Sequence, residues 1–328
     1  MDIQLLENYI KAGEIHKTVR DYIMPLLNEG IKYVDIVESI ENKIADEMSN
    51  LNKCNETTQV NNGVAFPTGI SVNNVAAHFT PSYKDDSALK SSDVMKIDYG
   101  VHIDGCIVDS AFTINLNEEY SEILKASHEA VNGVIKNMGV DSRFGDLSAI
   151  SQEIVESYEY KGKSLKVIDK LAGHNILPWK IHAGKLLFGM PQNDTEYDDL
   201  KVADGEVMAI EIFVSNGDGD CQLGTNPLNY SHYMVKDSFK NIPLFSNKKT
   251  NELSTIITNH LNRLPFCPRF IDNINKNHTN YLQNLKELFS NDYIDIYPPL
   301  LETDNESKVA QFEHSVYVSE NKKIVLSQ

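Results

Sequence analysis

Residues Val94 to Asn115 read VMKIDYGVHIDGCIVDSAFTIN, and they set two aspartates inside what is otherwise the pattern of a buried β-hairpin. Met95, Ile97, Tyr99, Val101 and Ile103 alternate with smaller or polar residues. Asp104-Gly105 is the dipeptide that a two-residue type I′ turn requires, because both turn positions need φ > 0. With those two residues as the loop, Ile103 faces Cys106, His102 faces Ile107, Gly100 faces Asp109 and Asp98 faces Ala111. Strand side chains repeat every second residue, so Asp98 and Asp109 become diagonal neighbours on one face, roughly 7–8 Å apart at the backbone. Glycine and alanine stand opposite them, which leaves room for a cation. The competing reading is a solvated polar face, and residues elsewhere in the chain must decide between the two.

The 328 residues, 41% of them hydrophobic, can build one large α/β domain or two ordinary ones, with a substantial core. Thirty Lys and Arg against 47 Asp and Glu give a net charge of −17, which argues against a dedicated nucleic-acid or anionic-membrane surface. Cys54, Cys106, Cys221 and Cys267 lack both metal-ligand spacing and the density of a disulfide scaffold, so a reducing compartment is expected. The opening MDIQLLENYIKAGEIHK has no apolar run of a leader peptide, and no segment approaches 18 uninterrupted apolar residues. The expectation is a cytoplasmic protein.

Along the chain, Leu6, Ile10, Ile15, Val19, Tyr22, Ile23 and Leu26 form a helical stripe in which His16 reads as a surface residue. A second helix is expected to start at Asp35, with Glu38 completing a capping box. The stretch 61–81 is broken into short β-like runs by Gly63, Pro67, Gly69 and Asn73-Asn74, and His78 sits among small neighbours that leave its ring accessible. Helical spacing returns over 121–138 and 146–160. His174 and His182 lie eight residues apart around Pro178, which excludes the one-face helical zinc spacing; a loop and the strand after it would carry them. The segment 229–295 reads as a helical insertion with helices in NELSTIITNHLNRL and HTNYLQNLKELFS.

Two further acids sit where a core is expected, Glu211 in EVMAIEIFVS and Glu313 in VAQFEHSVYVS. Burying an ion costs several kcal/mol even after relaxation, so four unpaired carboxylates would consume much of a typical stability of about 5–15 kcal/mol. Asp98, Asp109, Glu211 and Glu313 with His174 therefore suit divalent cations, and mainly oxygen ligation favours Mn, Fe, Co or Zn in open geometry over a closed structural zinc. Two such ions can activate a water for amide hydrolysis.

Taken in order, AFPTG (65–69), NNVAAHFTP (73–81), KIDYGVHIDG (96–105), AGH (172–174), IHAGK (181–185), AIEIF (209–213), SHYM (231–234), YPPL (297–300) and QFEH (311–314) resemble the type 2 methionine aminopeptidases of metallopeptidase family M24, over nearly the whole chain. The resemblance implies an α+β pita-bread fold. A central curved antiparallel sheet flanked by helices would form a single catalytic domain over 1–328, with the helical subdomain 229–295 inserted. It implies that Asp98, Asp109, His174, Glu211 and Glu313 hold two divalent metals, Asp109 and Glu313 bridging. Glu211 would also be the general base, His78 would assist proton transfer at the scissile amide and be the residue that fumagillin-type epoxides alkylate, and His182 would contact the substrate backbone. Phe66, Ile181, His232 and Tyr297 would line the methionine pocket.

The implied activity removes the initiator methionine from nascent polypeptides with a small second residue, in a monomer that associates transiently with the ribosome and binds neither nucleic acid nor membrane. Leu177-Pro178-Trp179-Lys180 and the loop 217–230 depart from the family pattern, which bears on pocket shape. The charged N-terminal extension of many eukaryotic members is not found here, so extension-dependent ribosome binding is not implied. Two alternatives share the fold. A non-catalytic homologue binding ribosome or nucleic acid would be expected to lose ligands that this chain keeps. A proline-directed peptidase would be expected to carry a larger domain than the roughly 93 residues ahead of the hairpin.

Overall fold

A computed structural model describes residues 2–52, 62–227, 230–239, 241–261, 263–274 and 281–328. Cys54, the Asn229 end of the expected insertion and the start of its second helix lie outside the described residues. Helices α1 (Ile3–Ile23) and α2 (Tyr33–Asn52) lead into short strands β1 (Asn62–Val64), β2 (Gly69–Val72) and β3 (Val75–Ala77), then the long hairpin β4 (Val94–Ile103) and β5 (Cys106–Asn115). Next come α3 (Ser121–Asn137), α4 (Phe144–Glu156), β6 (Glu159–Tyr160), β7 (Lys163–Ser164), β8 (Lys166–Val167), β9 (Ala172–Ile176), β10 (Leu186–Phe188), α5 (Thr195–Asp198), β11 (Glu206–Ser215) and β12 (Cys221–Leu223). Strand β13 (His232–Val235) and helices α6 (Lys248–Leu261), α7 (Pro268–Ile274) and α8 (Tyr281–Ser290) precede β14 (Ile294–Tyr297), β15 (Leu300–Glu302), β16 (Val309–Val318) and β17 (Lys323–Val325).

The hairpin register is the one its turn dictates: Ile103 pairs with Cys106, Gly100 with Asp109 and Asp98 with Ala111. Asp104 and Gly105 both adopt positive φ, +50° and +78°. Strands β1 and β2 share the other edge of β4. A second antiparallel sheet runs β10-β9-β11-β16-β17, with Glu211 directly opposite Glu313. The same arrangement occurs twice. Helices α1 and α2 cover the Ile97–Tyr99–Val101 face of β4, while α3 and α4 cover the Met208–Ile210–Ile212 face of β11. Strand alternation then turns Asp98, Asp109, Glu211 and Glu313 to the two inner faces.

Those inner faces meet along a seam of hydroxyls. Ser315 Oγ accepts from Asp109 N (2.9 Å) and donates to Asp109 O (2.7 Å), while Thr113 Oγ1 donates to Gln311 O (2.6 Å) and accepts from Gln311 N (2.8 Å). Side chains thus replace a backbone ladder between β5 and β16, and their short reach holds the two carboxylate pairs together.

Three sequence expectations change. His16 is fully buried rather than on the surface: its ring stacks on Tyr99 at 4.0 Å and Nε2 lies 2.9 Å from Tyr99 O. The second helix begins at Tyr33, so Asp35 stands in its first turn and is not the cap. Between β13 and β14 the chain carries a third helix, α7, unread from the sequence, and this segment has its own apolar cluster around Leu253, Ile257, Phe266, Leu285 and Leu288. No helix among the described residues is long and apolar enough to cross a membrane.

Candidate metal centre

Five strands converge on one cluster. Ligand atoms of Asp109 (β5), His174 (β9) and Glu313 (β16) lie within 4.8 Å of one another, and so do those of Asp98 (β4), Glu211 (β11) and Glu313. Glu313 belongs to both groups, and the two hairpin aspartates fall one in each. His174 Nε2 is 3.5 Å from Asp109 Oδ2. Asp109, His174 and Glu313 are buried, while Asp98 and Glu211 keep partial exposure where they reach a cavity.

The electrostatics are those of charge without a counter-charge. Burial is the first cause that raises all four carboxyl groups: Asp109 is pushed up to about 7, and Asp98, Glu211 and Glu313 well above their ordinary values. Mutual repulsion adds to the effect on Asp98, Glu211 and Glu313. Burial lowers His174 to about 4, which keeps its imidazole neutral and able to ligate. Asp98 Oδ1, Asp109 Oδ1, His174 Nδ1 and both Glu313 carboxylate oxygens have no hydrogen-bond partner among the described residues. Buried polar atoms are rarely left unpaired, so unpaired lone pairs converging from these four residues, with Glu211 beside them, fit divalent cations. This donor set supports divalent metal use.

The cluster floors a cavity of about 300 Å³. Phe66, His78, Ile181, His182, His232 and Tyr297 all line it, as do Asp98, Asp109, His174 and Glu211, so every residue singled out from the sequence is either on this cavity or, for Glu313, in the cluster beneath it. His78 holds φ at +64°, and its ring centroid lies 5.8 Å from His232 and 5.9 Å from Tyr297. Burial lowers His78 to about 4 and His182 to about 3. The order of the histidine pair is reversed from the sequence expectation: His174 comes from strand β9 and His182 from the loop after it, their rings 4.3 Å apart.

Space around the aspartates is also allotted differently. The gap over Gly100 is taken by Phe66, whose ring would come within 2.3 Å of a Cβ placed there. Glycine at this position therefore seats a pocket wall, and the cation groups form towards Glu313 instead. Gln311 went unnoticed as a functional residue. Its Nε2 donates to Glu211 Oε1 (2.6 Å) and Asp98 Oδ2 (3.2 Å), and its place two residues before Glu313 on the same strand face was the available signal. The departure at 177–180 is a tight turn closed by paired Leu177 and Lys180 backbones, with Trp179 N donating to Gly105 O (2.9 Å) and Lys180 paired to Asp237 at 2.9 Å.

Comparison with known proteins agrees with this geometry. The family model for metallopeptidase family M24 matches residues 7–320. Methionine aminopeptidase 2 of Sclerotinia sclerotiorum is 37% identical over 332 aligned residues, which cover 100% of this chain and 72% of that protein. Among solved structures, methionine aminopeptidase from Thermotoga maritima superposes with a TM-score of 0.66 at 18% identity, covering 100% of this chain and 98% of the other. A thermophilic Arx1 gives 0.81 at 16%, covering 99% and 91%. At these identities the two structures speak for the shared pita-bread fold. The chain belongs to metallopeptidase family M24, in its methionine aminopeptidase 2 branch.

Proposed function

We propose that this methionine aminopeptidase removes the initiator methionine from nascent polypeptides whose second residue is small, using two divalent cations held by Asp98, Asp109, His174, Glu211 and Glu313. The observation that carries the reading is the pair of three-residue groups sharing Glu313 at the floor of a cavity walled by apolar side chains and by His78, His182 and His232. When bound, the cations supply Lewis acidity that lowers the pKa of the attacking water and balances charge on the tetrahedral adduct. Glu211, whose proton affinity is raised by burial and by Asp98 and Asp109, takes the proton from that water. His78, neutral at physiological pH, donates a hydrogen bond to the scissile amide as charge develops there. His182 orients the substrate backbone, and Phe66, Ile181, His232 and Tyr297 receive the methionine side chain. The segment from β13 to β14 acts as an insertion that closes this pocket, since His232 and Tyr297 stand at its two ends.

The test compares Met-Ala, Xaa-Pro and Ala-Pro peptides with Mn(II)- or Co(II)-loaded protein. Cleavage of Met-Ala alone is expected, and Asp98→Asn is expected to lower kcat by at least about 10³-fold without unfolding the protein, the scale of losing a group that positions charge in the site. Full activity in Asp98→Asn, or preference for the proline peptides, would sink the assignment.

A further inference from the structure

One buried ion pair outside the carboxylate cluster is bonded, directly or through one further residue, to three segments that carry cavity-lining side chains. Arg269 on α7 is 2% exposed, and its guanidinium forms a two-pronged pair with Glu41 of α2, Nη1 to Oε2 at 2.6 Å and Nη2 to Oε1 at 2.9 Å. The same Nη2 donates to Thr80 Oγ1 at 2.9 Å, and Nε donates to Pro81 O at 2.9 Å. Glu41 Oε1 also accepts from Thr68 N at 3.4 Å. Thr80 N in turn donates to Ser231 Oγ (3.2 Å), which lies 3.4 Å from His78 O and 3.1 Å from His232 Nδ1.

Thr68 follows Phe66 by two residues, Thr80 follows His78 by two, and Ser231 adjoins His232. Through Glu41 the pair reaches Thr68, through its own nitrogens Thr80 and Pro81, and through Thr80 N Ser231, so its bonds end one to three residues from side chains that face the cavity. Stability alone does not explain the pair, because a buried ion pair often gains no more than apolar residues of the same size would. Geometry does. An Arg fork fixes direction as well as distance, and His78 must be held at φ +64°, a left-handed conformation that non-glycine residues rarely adopt.

We infer that Arg269 and Glu41 are a positioning pair for the aminopeptidase site. They lock the Thr68 and His78–Pro81 turns to the β13–β14 segment so that Phe66, His78 and His232 converge on one cavity. The inference rests on the roles proposed above for His78 and the pocket residues.

The test uses the Mn(II)-loaded 328-residue chain carrying Arg269→Lys, and separately the double change Glu41→Leu with Arg269→Met, which leaves no unpaired charge buried. Melting temperature, Mn(II) binding, and kcat and KM on a Met-Ala peptide are measured for each, alone and combined with His78→Ala. Both variants are expected to bind Mn(II) as the wild type does and the double variant to melt close to it. In both, kcat is expected to fall about 10- to 100-fold, the scale of a displaced reacting group. In the His78→Ala background the same changes should add less than about threefold, because residues acting as one unit are not additive.

A double variant with wild-type kcat and KM would show a mere staple and overturn the inference, as would full additivity with His78→Ala. If His78→Ala alone is fully active, the role of His78 fails instead. The positioning pair is then judged on KM, which should rise at least about fivefold through Phe66 and His232, and an unchanged KM overturns it.

Discussion

Gly100 shows how a single missing Cβ shapes the pocket. It sits opposite Asp109 in the hairpin, and the Phe66 ring fills the space its side chain would take. Gly100→Ala must push Phe66 outward by more than an ångström or twist β4. The expected outcome is a KM for Met-Ala peptides raised several-fold and a stability loss of about 1–3 kcal/mol, the usual cost of overpacking. Steady-state kinetics and a urea melt check both; an unchanged KM would mean that Phe66 does not line the methionine pocket. That Asp98, Asp109, Glu211 and Glu313 stand out as a set was legible from sequence because each carboxylate interrupts a strand that is otherwise apolar or alternating. His16 was misread for the converse reason: it occupies the buried stripe between Ala12 and Val19, but its polarity pointed outward.

At the level of elements, the Asp104-Gly105 turn does more than set the hairpin register. Gly105 at φ +78° lies so close to the Trp179 indole that a Cβ would meet Nε1 at 2.4 Å, and Trp179 itself holds φ +62° while donating to Gly105 O. Two strained turns brace each other, and Ile181 and His182 follow directly. Gly105→Ala should therefore cost about 1–3 kcal/mol and loosen the loop that carries His182. Since Trp179 is the sole tryptophan, its fluorescence reports the change during chemical unfolding; an unaltered spectrum and midpoint would contradict the bracing.

Register, strand limits and helix faces could be read in advance because period and turn chemistry are local. The Trp179 contact and the Glu41–Arg269 pair, 228 residues apart, leave no periodic trace in the chain. The third helix, α7, is only seven residues long and begins with a proline, too short for its spacing to stand out.

At the scale of the whole molecule, buried titratable groups oppose one another until metal enters. Burial depresses His16, His182 and His232 to about 3 and His78, His102, His174 and His314 to about 4 from an ordinary 6.5. Their contribution to stability is present above 6.5 and is lost as pH falls through the folded values. The cluster carboxylates run the other way: stability is present below their ordinary values and is lost as pH rises through the raised ones, which for Asp109 is about 7. Above pH 6.5 the histidines are neutral in both states, so only the carboxylates titrate. Metal-free protein should lose melting temperature between about pH 6.5 and 8, and saturating Mn(II) should flatten that slope, with about 2.7 kcal/mol of stabilisation at 100 times Kd. Calorimetric melts in chelator and in Mn(II) check this, and a flat metal-free profile would contradict it.

Both cation groups depend on Glu313, so the most direct measurement is a calorimetric titration of Mn(II) into chelated wild-type and Glu313→Gln protein, with Met-Ala cleavage followed in the same samples. The expected result is about two ions per wild-type chain, weakened or reduced binding in Glu313→Gln, and activity that appears only as the wild type fills. Wild-type protein that binds no Mn(II), or Glu313→Gln protein that binds and cleaves like the wild type, would contradict a dinuclear centre built on Glu313.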